Sequence, residues 1–345
     1  MSDGSGDGPS PPVRTMEDFA AIVGLSRPTV SKFFHDPDSV RRTTRGRIEA
    51  AIKMTGFRPN IFAVNLNRRR TTFIGLIIPD RMDPFYMSLA RRIETSAAER
   101  GYLALVLSSN GRPDLEEQAI ERIAALNVSG AIIAPLGVKS HRSKLKALAK
   151  RFPLVFVDAP LDDEEPFVGT DHRQTITLLT DYLARAGAPP CFFDIPAGTH
   201  NALERRRHYE RAMIDLGLEP KVVSTPASWD FERVCYETAL AALGDGGLPT
   251  RSVLCGNDRV AFGVMAAINS AGLSIGVEGD YRVAGHDNQP FAAFTWPPLT
   301  TVAQNTERMG EVAFRILMAK MQEADAAPEG DRVRLKGELV VRRSA

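Results

Sequence analysis

Between Thr15 and Thr55 the apolar residues recur at intervals of three and four, the spacing of one helix face. Thr15 can cap a helix over Met16–Val23, with Glu17 and Asp18 near its positive end and Phe19, Ala20 and Val23 along one face. Gly24 then stands where the chain must turn, because glycine takes positive φ without penalty. Ser26 is expected to cap a second helix, Arg27–Phe34. Pro28 falls in its first turn, where a missing N–H costs nothing, and Val30, Phe33 and Phe34 form its apolar face. A third amphipathic helix is predicted over Thr43–Thr55 through Ile48, Ala51 and Ile52. A small Ala20, a turn at Gly24 and an inward Val30 are what a helix-turn-helix needs to pack its two helices together.

From Thr71 the pattern becomes short β-branched runs alternating with amphipathic segments. Strands are predicted at Phe73–Ile78, Leu103–Leu107, Ala131–Ala134, Leu154–Val157, Phe167–Val168, Cys191–Phe193, Lys221–Ser224, Ser252–Cys255 and Tyr281–Ala284. Helices are predicted at Pro84–Glu99, Leu115–Leu126, Arg173–Arg185, near Arg206–Leu216, Glu232–Leu243 and Val260–Ala271. Repeated βα units imply parallel, doubly wound sheets, and a body of this length splits into two such subdomains. Their natural ligand site is the cleft between them, bordered by carboxyl ends of strands. No dinucleotide fingerprint, P-loop, nucleophile elbow or HExxH zinc motif is present, and no pair of carboxylates is set for acid–base work. The body therefore reads as a binding module without catalytic machinery, and no cofactor or metal is expected.

Composition narrows this further. The chain has 345 residues, 43% hydrophobic and 25% charged, in the ordinary range for a soluble globular protein. It lacks an apolar run long enough to span a membrane, and MSDGSGDGPSPPVR is neither a secretory signal nor core-forming, so residues 1–14 are expected to form a disordered tail on a cytoplasmic protein. Cys191, Cys235 and Cys255 are widely spaced and read as buried free thiols. The net charge of +1 conceals an asymmetry, since Thr15–Arg70 carries 11 Lys and Arg against 5 Asp and Glu. A basic module on a mildly acidic body points to contact with a polyanion.

The stretch TMEDFAAIVGLSRPTVSKFFHDPDSVRRTTRGRIEAAIKMTGFRPNIFAVNL, with its GLSRPTVSK and GFRPN segments, resembles the DNA-binding headpiece of the lac repressor and purine repressor family. The resemblance implies a headpiece over 15–59, a hinge helix and linker over 60–70, and an effector-binding and dimerisation body over 71–345. That body is like a periplasmic sugar-binding protein, with an N-subdomain of about 71–171 and 304–331 and a C-subdomain of about 172–303 and 332–345. It also implies that the second helix enters the major groove. Arg27 and Lys32 would donate to guanine, while Thr15, Thr29, Ser31 and Asn60 would sit at the DNA contact surface. Leu66 would act as a minor-groove wedge, and Arg68–Arg70 would add backbone attraction. Pro28 departs from the polar reader usual there and offers apolar contact alone.

In the body the matched positions are Phe85 in MDPFY, Asp158 after LVFV, Arg205, Trp229 in SWDFE, Asn257 in LCGND and Asp287 after AGH. Such carboxylates, amide, guanidinium and aromatics suit a polyol, with Asp258 read as helix-terminal rather than ligand-contacting. His208 stands where the family pattern has glycine. The C-terminus carries no heptad repeat, so a homodimer on a two-fold operator is expected. The implied function is a repressor of carbohydrate uptake or catabolism genes, released by a sugar-like effector. The alternatives are a purine- or nucleoside-responsive regulator, a solute-binding protein, which the missing export signal argues against, and an enzyme, for which no constellation speaks.

Overall fold

The computed structural model describes residues 13, 15–59, 71–185, 188–322 and 330–345. The expected tail apart from Val13, and with it Asn60, Leu66 and Arg68–Arg70, lies outside the described residues. The chain divides into two compact units, Met1–Thr71 and Thr72–Ala345.

The first unit packs three helices, α1 (Met16–Val23), α2 (Arg27–His35) and α3 (Arg42–Thr55). Thr15 and Asp18 form a reciprocal capping box: the Asp18 amide donates to Thr15 Oγ1 and the Thr15 amide to the Asp18 carboxylate, each at 3.1 Å. Gly24 takes φ 69°, and its amide donates to the carbonyls of Ala20 and Ala21. Ser26 holds the cap position of α2 but its hydroxyl makes no capping bond. It pairs with the Thr29 hydroxyl at 2.8 Å, and Pro28 occupies the first turn. The expected side-chain cap is thus replaced by a hydroxyl pair one turn inside. Phe19, Val30 and Ile48 are fully buried where the helices meet, Ala20 is buried beside them, and Phe57 stacks on Phe19 at 4.5 Å. Arg47 ties α3 to the end of α1 by donating to the Val23 carbonyl at 2.7 Å.

The second unit is doubly wound. Its first lobe runs β1 (Phe73–Ile78), α4 (Pro84–Glu99), β2 (Leu103–Ser108), α5 (Pro113–Ala125), β3 (Gly130–Ile133), α6 (Arg142–Ala149), β4 (Leu154–Val157) and β5 (Phe167–Thr170). Its second lobe runs α7 (His172–Arg185), β6 (Pro190–Phe193), α8 (His200–Asp215), β7 (Val222–Val223), α9 (Phe231–Gly244), β8 (Ser252–Cys255), α10 (Asp258–Ser270), β9 (Arg282–Ala284) and β10 (Thr301–Ala303). The chain then returns to the first lobe with α11 (Thr306–Met321) and β11 (Arg332–Leu335), and finishes in the second with β12 (Glu338–Val340).

Among the described residues the first sheet has the order β11-β5-β4-β3-β1-β2 and the second β7-β6-β8-β9, with every pairing parallel. An antiparallel ribbon of β10 and β12 adjoins them. Strands of the first sheet such as Ile74, Leu76 and Ile132 are fully buried, as expected where helices cover both faces. Arg332–Leu335 pairs with Phe167–Thr170 in the first sheet, so the boundary expected at 332 moves to 336–337. Its alternating exposure is that of an edge strand, and this weak apolar signal hid it in the sequence. The helix expected near Arg206 starts at His200, because Thr199 caps it by accepting from the Ala202 amide at 3.2 Å.

Candidate functional site

On the first unit, α2 presents Arg27, Pro28, Ser31 and Lys32 to solvent. Arg27 Nε lies 2.6 Å from a Glu17 carboxylate oxygen, and both side chains are exposed. Thr29 is half-buried with its hydroxyl on Ser26, and the Thr15 hydroxyl is spent in the capping box. The face therefore offers two cations and a hydroxyl, one of the cations shared with a carboxylate.

In the second unit a cavity of about 40 Å³ lies between the lobes, and Phe85, Asp158, Arg205, Trp229, Asn257 and Asp287 all line it. Most arrive from a strand end or a helix start, while Arg205 projects from the second turn of α8. Phe85 follows Pro84 in the first turn of α4, where Asp83 caps by accepting from the Phe85 amide at 2.9 Å. Asp158 directly follows β4 at φ 65°, and Asp287 follows β9 at φ 122°; both are left-handed non-glycine positions that the surrounding structure must hold in place. Asn257 caps α10 by accepting from the Val260 amide at 2.9 Å, which leaves its amide nitrogen for other partners. Trp229 stacks on Phe231 at 5.7 Å and closes against Gly111 of the first lobe.

Sequence reasoning missed Asp83, Tyr86, Thr199, Asn201, Phe231 and Gln304 in this lining. Asp83 and Thr199 carry a local signal, an acceptor just before a helix, but nothing in the sequence aims them at a ligand. Gln304 lines the cavity because the chain crosses lobes there. It donates to Asp287 Oδ1 at 2.6 Å and accepts from the Thr170 hydroxyl.

The polar groups form a buried network around Asp287 and a separate pair at Asp158. Arg205 donates to the Gly256 carbonyl at 2.8 Å and lies 3.3 Å from Asp287 Oδ1. His286 Nδ1 is 2.9 Å from the same oxygen, and its Nε2 is 3.0 Å from the Thr175 hydroxyl. Burial, together with the Arg205 charge, pulls His286 and His172 well below the ordinary histidine range, so both rings are neutral near pH 7. The Tyr86 hydroxyl donates to Asp158 Oδ2 at 2.8 Å, while Asp158 Oδ1 is buried without a partner. Burial pushes Asp158 up to about 6 against the pull of Arg205, and pushes Asp83 to about 6 with the Asp287 charge adding to it. Asp287 is also raised by burial.

Behind the cavity Arg259 joins the lobes. It lies 3.3 Å from Asp80 and 3.6 Å from Asp83 of the first lobe, 2.7 Å from Glu232 of the second, and over the Phe231 ring at 4.6 Å. Asp258 accepts from the Gln289 amide and the Thr301 hydroxyl, each at 2.7 Å, and is fully buried. His208 is half-buried and does not line the cavity. Among the described residues no group of His, Cys, Asp and Glu is arranged to hold a metal, and no helix is long and apolar enough to cross a membrane. The three cysteines are free and buried.

Comparison with known proteins bears on both units. Residues 15–60 match the model of bacterial regulatory proteins of the lacI family, and residues 180–345 match a periplasmic binding protein-like domain. The ribose operon repressor of Escherichia coli (strain K12) is 30% identical over 312 residues, covering 89% of this chain and 93% of that protein. The HTH-type transcriptional repressor CytR of the same strain is 28% identical over 347 residues, covering 96% of each. A crystal structure of the lac repressor dimer, bound to operator and the anti-inducer ONPF, superposes with a TM-score of 0.81 at 23% identity, covering 96% of this chain and 98% of that one.

Proposed function

Because the chain belongs to the lacI family of bacterial regulatory proteins, and is a ligand-responsive DNA-binding transcriptional repressor rather than an enzyme, we propose that its effector is a sugar-like polyol bound between the lobes of the second unit. The observation that carries this reading is the convergence of Phe85, Asp158, Arg205, Trp229, Asn257 and Asp287, from six separate segments, on one cavity. Aromatic walls suit the apolar face of a sugar ring, and carboxylates, amides and a guanidinium suit its hydroxyls. The relative named for the ribose operon supports the same class.

The protein works in the cytoplasm as a homodimer, with one α2 in each half of a two-fold operator and the target genes serving carbohydrate uptake or catabolism. Arg27 and Lys32 read bases, Ser31 meets the backbone with its free hydroxyl, Thr15 and Thr29 stand at the same contact surface, and Pro28 contributes apolar contact. The cavity itself holds only about 40 Å³, so an effector enters by parting the lobes around it. It alters DNA affinity only by its differential affinity for the two lobe arrangements. A sugar that prefers the DNA-incompetent arrangement relieves repression. A nucleoside is the second reading, favoured by the stacked Trp229 and Phe231 beside Phe85 and Tyr86.

The test is a thermal-shift screen of the purified protein against sugars, polyols and nucleosides. A true effector at a hundred times its Kd stabilises by about 2.7 kcal/mol. Asp287→Ala is expected to abolish that stabilisation; if it persists undiminished, the site lies elsewhere.

A further inference from the structure

The charge within the cavity restricts which polyols it can accept, an inference that rests on the effector reading above. Among the lining residues three are carboxylates, Asp83, Asp158 and Asp287, and one is a guanidinium, Arg205. Arg205 is largely committed, one terminal nitrogen to the Gly256 carbonyl and the other to Asp287, so its Nε is left as an unpartnered donor. The neighbouring Arg259 is held by Glu232 and reaches Asp80 and Asp83, so its charge is already offset by carboxylates. Beside that donor stand two buried acceptors without partners, Asp158 Oδ1 and Asn201 Oδ1, on residues only 5% and 7% exposed. Lys139 stands in the adjoining mouth of the cleft, exposed, where solvent and salt screen it.

We propose that this cavity takes an uncharged or ammonium-bearing polyol, whose hydroxyl or amino hydrogens satisfy Asp158 and Asn201, and that it rejects sugar acids and sugar phosphates. The physical reason is twofold. A buried acceptor left without a donor costs its full desolvation, so a ligand rich in donors gains by filling that need. An anionic ligand brings a further negative charge into a water-poor site where carboxylates already outnumber the guanidiniums, and like-charge contact there is strongly unfavourable. Burial already holds Asp83 and Asp158 at about 6, a sign of how poorly this space solvates an anion. A ligand amine would instead find Asp158 as its counter-charge, with Tyr86 orienting the carboxylate from the other side.

The test uses the full chain and titration calorimetry with matched sets. One set is ribose, ribonate and ribose 5-phosphate, and another is glucose, glucosamine, gluconate and glucose 6-phosphate, extended in the same way to any neutral sugar that binds. The expected result is that each aldonate and phosphate ester binds at least about 100-fold more weakly than its parent sugar. Asp158→Asn is expected to narrow that gap by about tenfold or more. An aldonate or phosphate ester that binds as tightly as its parent overturns the charge restriction while leaving the cavity as the effector site. Binding by no member of any set, or binding that Asp287→Ala leaves intact, overturns the underlying effector reading and the restriction with it.

Discussion

Replacing Arg259 with methionine keeps most of the aliphatic stem and removes the charge that links the lobes. Glu232 is 44% exposed and can rehydrate, but the side chains of Asp80 and Asp83 are 13% and 6% exposed and cannot. Breaking a buried pair by removing one partner costs about 3 kcal/mol or more. Asp83 gives the effect a pH signature. With Arg259 present its carboxyl titrates near 6 against an ordinary 3.8, a penalty on the ionised form of about 3 kcal/mol. Without the guanidinium its folded pKa climbs further. A carboxyl raised in the folded state loses stability as pH rises through the window from 3.8 to about 6 and beyond, and regains it below. The deficit of Arg259→Met relative to the parent chain is therefore largest near pH 8 and shrinks toward pH 5. Urea unfolding followed by tryptophan fluorescence at both pH values measures it. A deficit below about 1 kcal/mol, or one equal at the two pH values, would falsify the view that Arg259 is an electrostatic link between the lobes.

Three further outcomes are expected. Gly111→Ala meets both a φ of +70° and the Trp229 indole 2.3 Å from the new methyl; it should cost about 1–3 kcal/mol, and adding Trp229→Ala should recover part of the loss, which simple additivity in a thermal melt would contradict. Thr15→Ala removes the capping box and should destabilise the first unit by about 1 kcal/mol, read as faster hydrogen exchange confined to α1 and its neighbours. Arg27→Ala should lose about 1–3 kcal/mol on the operator and little on random DNA. Its exposed bond to Glu17 contributes little to stability, so Glu17→Gln should leave the melt unchanged while strengthening operator binding, and equal weakening on both DNAs would argue against base reading by Arg27.

What the sequence made legible was mostly local. Gly24 at φ 69° and Pro28 in the first turn of α2 are positions where residue chemistry and backbone agree within a few residues. The strands Phe73–Ile78, Leu154–Val157 and Ser252–Cys255 appear with their expected bounds because buried parallel strands are unbroken apolar runs. The helices α6 and α11 and the edge strand β11 were not anticipated. Arg142–Ala149 is short and cationic, and Arg332–Leu335 alternates charge with apolar residues. At the site, the six anticipated residues came from family-matched motifs, whereas Asp83, Asn201, Gln304 and Arg259 depend on which chain segments meet across the cleft. Arg259 illustrates the limit: beside Asn257 and Asp258 it reads as an ordinary first-turn residue, and only the fold sets it against Asp80 and Asp83.

Among the described residues the chain passes between the lobes near 171, 304–305 and 336–337, because α11 and β11 return to the first sheet and β12 leaves it again. Neither lobe is therefore encoded by one continuous stretch of gene. A single truncation or a single-crossover recombination cannot exchange one lobe for a relative's, since it would leave a sheet without its edge strand or a helix without its partner. Residues 15–59, by contrast, are a continuous segment with a core of their own. In a lineage that diversifies by recombination, the headpiece and the effector-binding body can be recombined whole with those of a relative, while a single lobe of the cleft cannot be exchanged by one crossover.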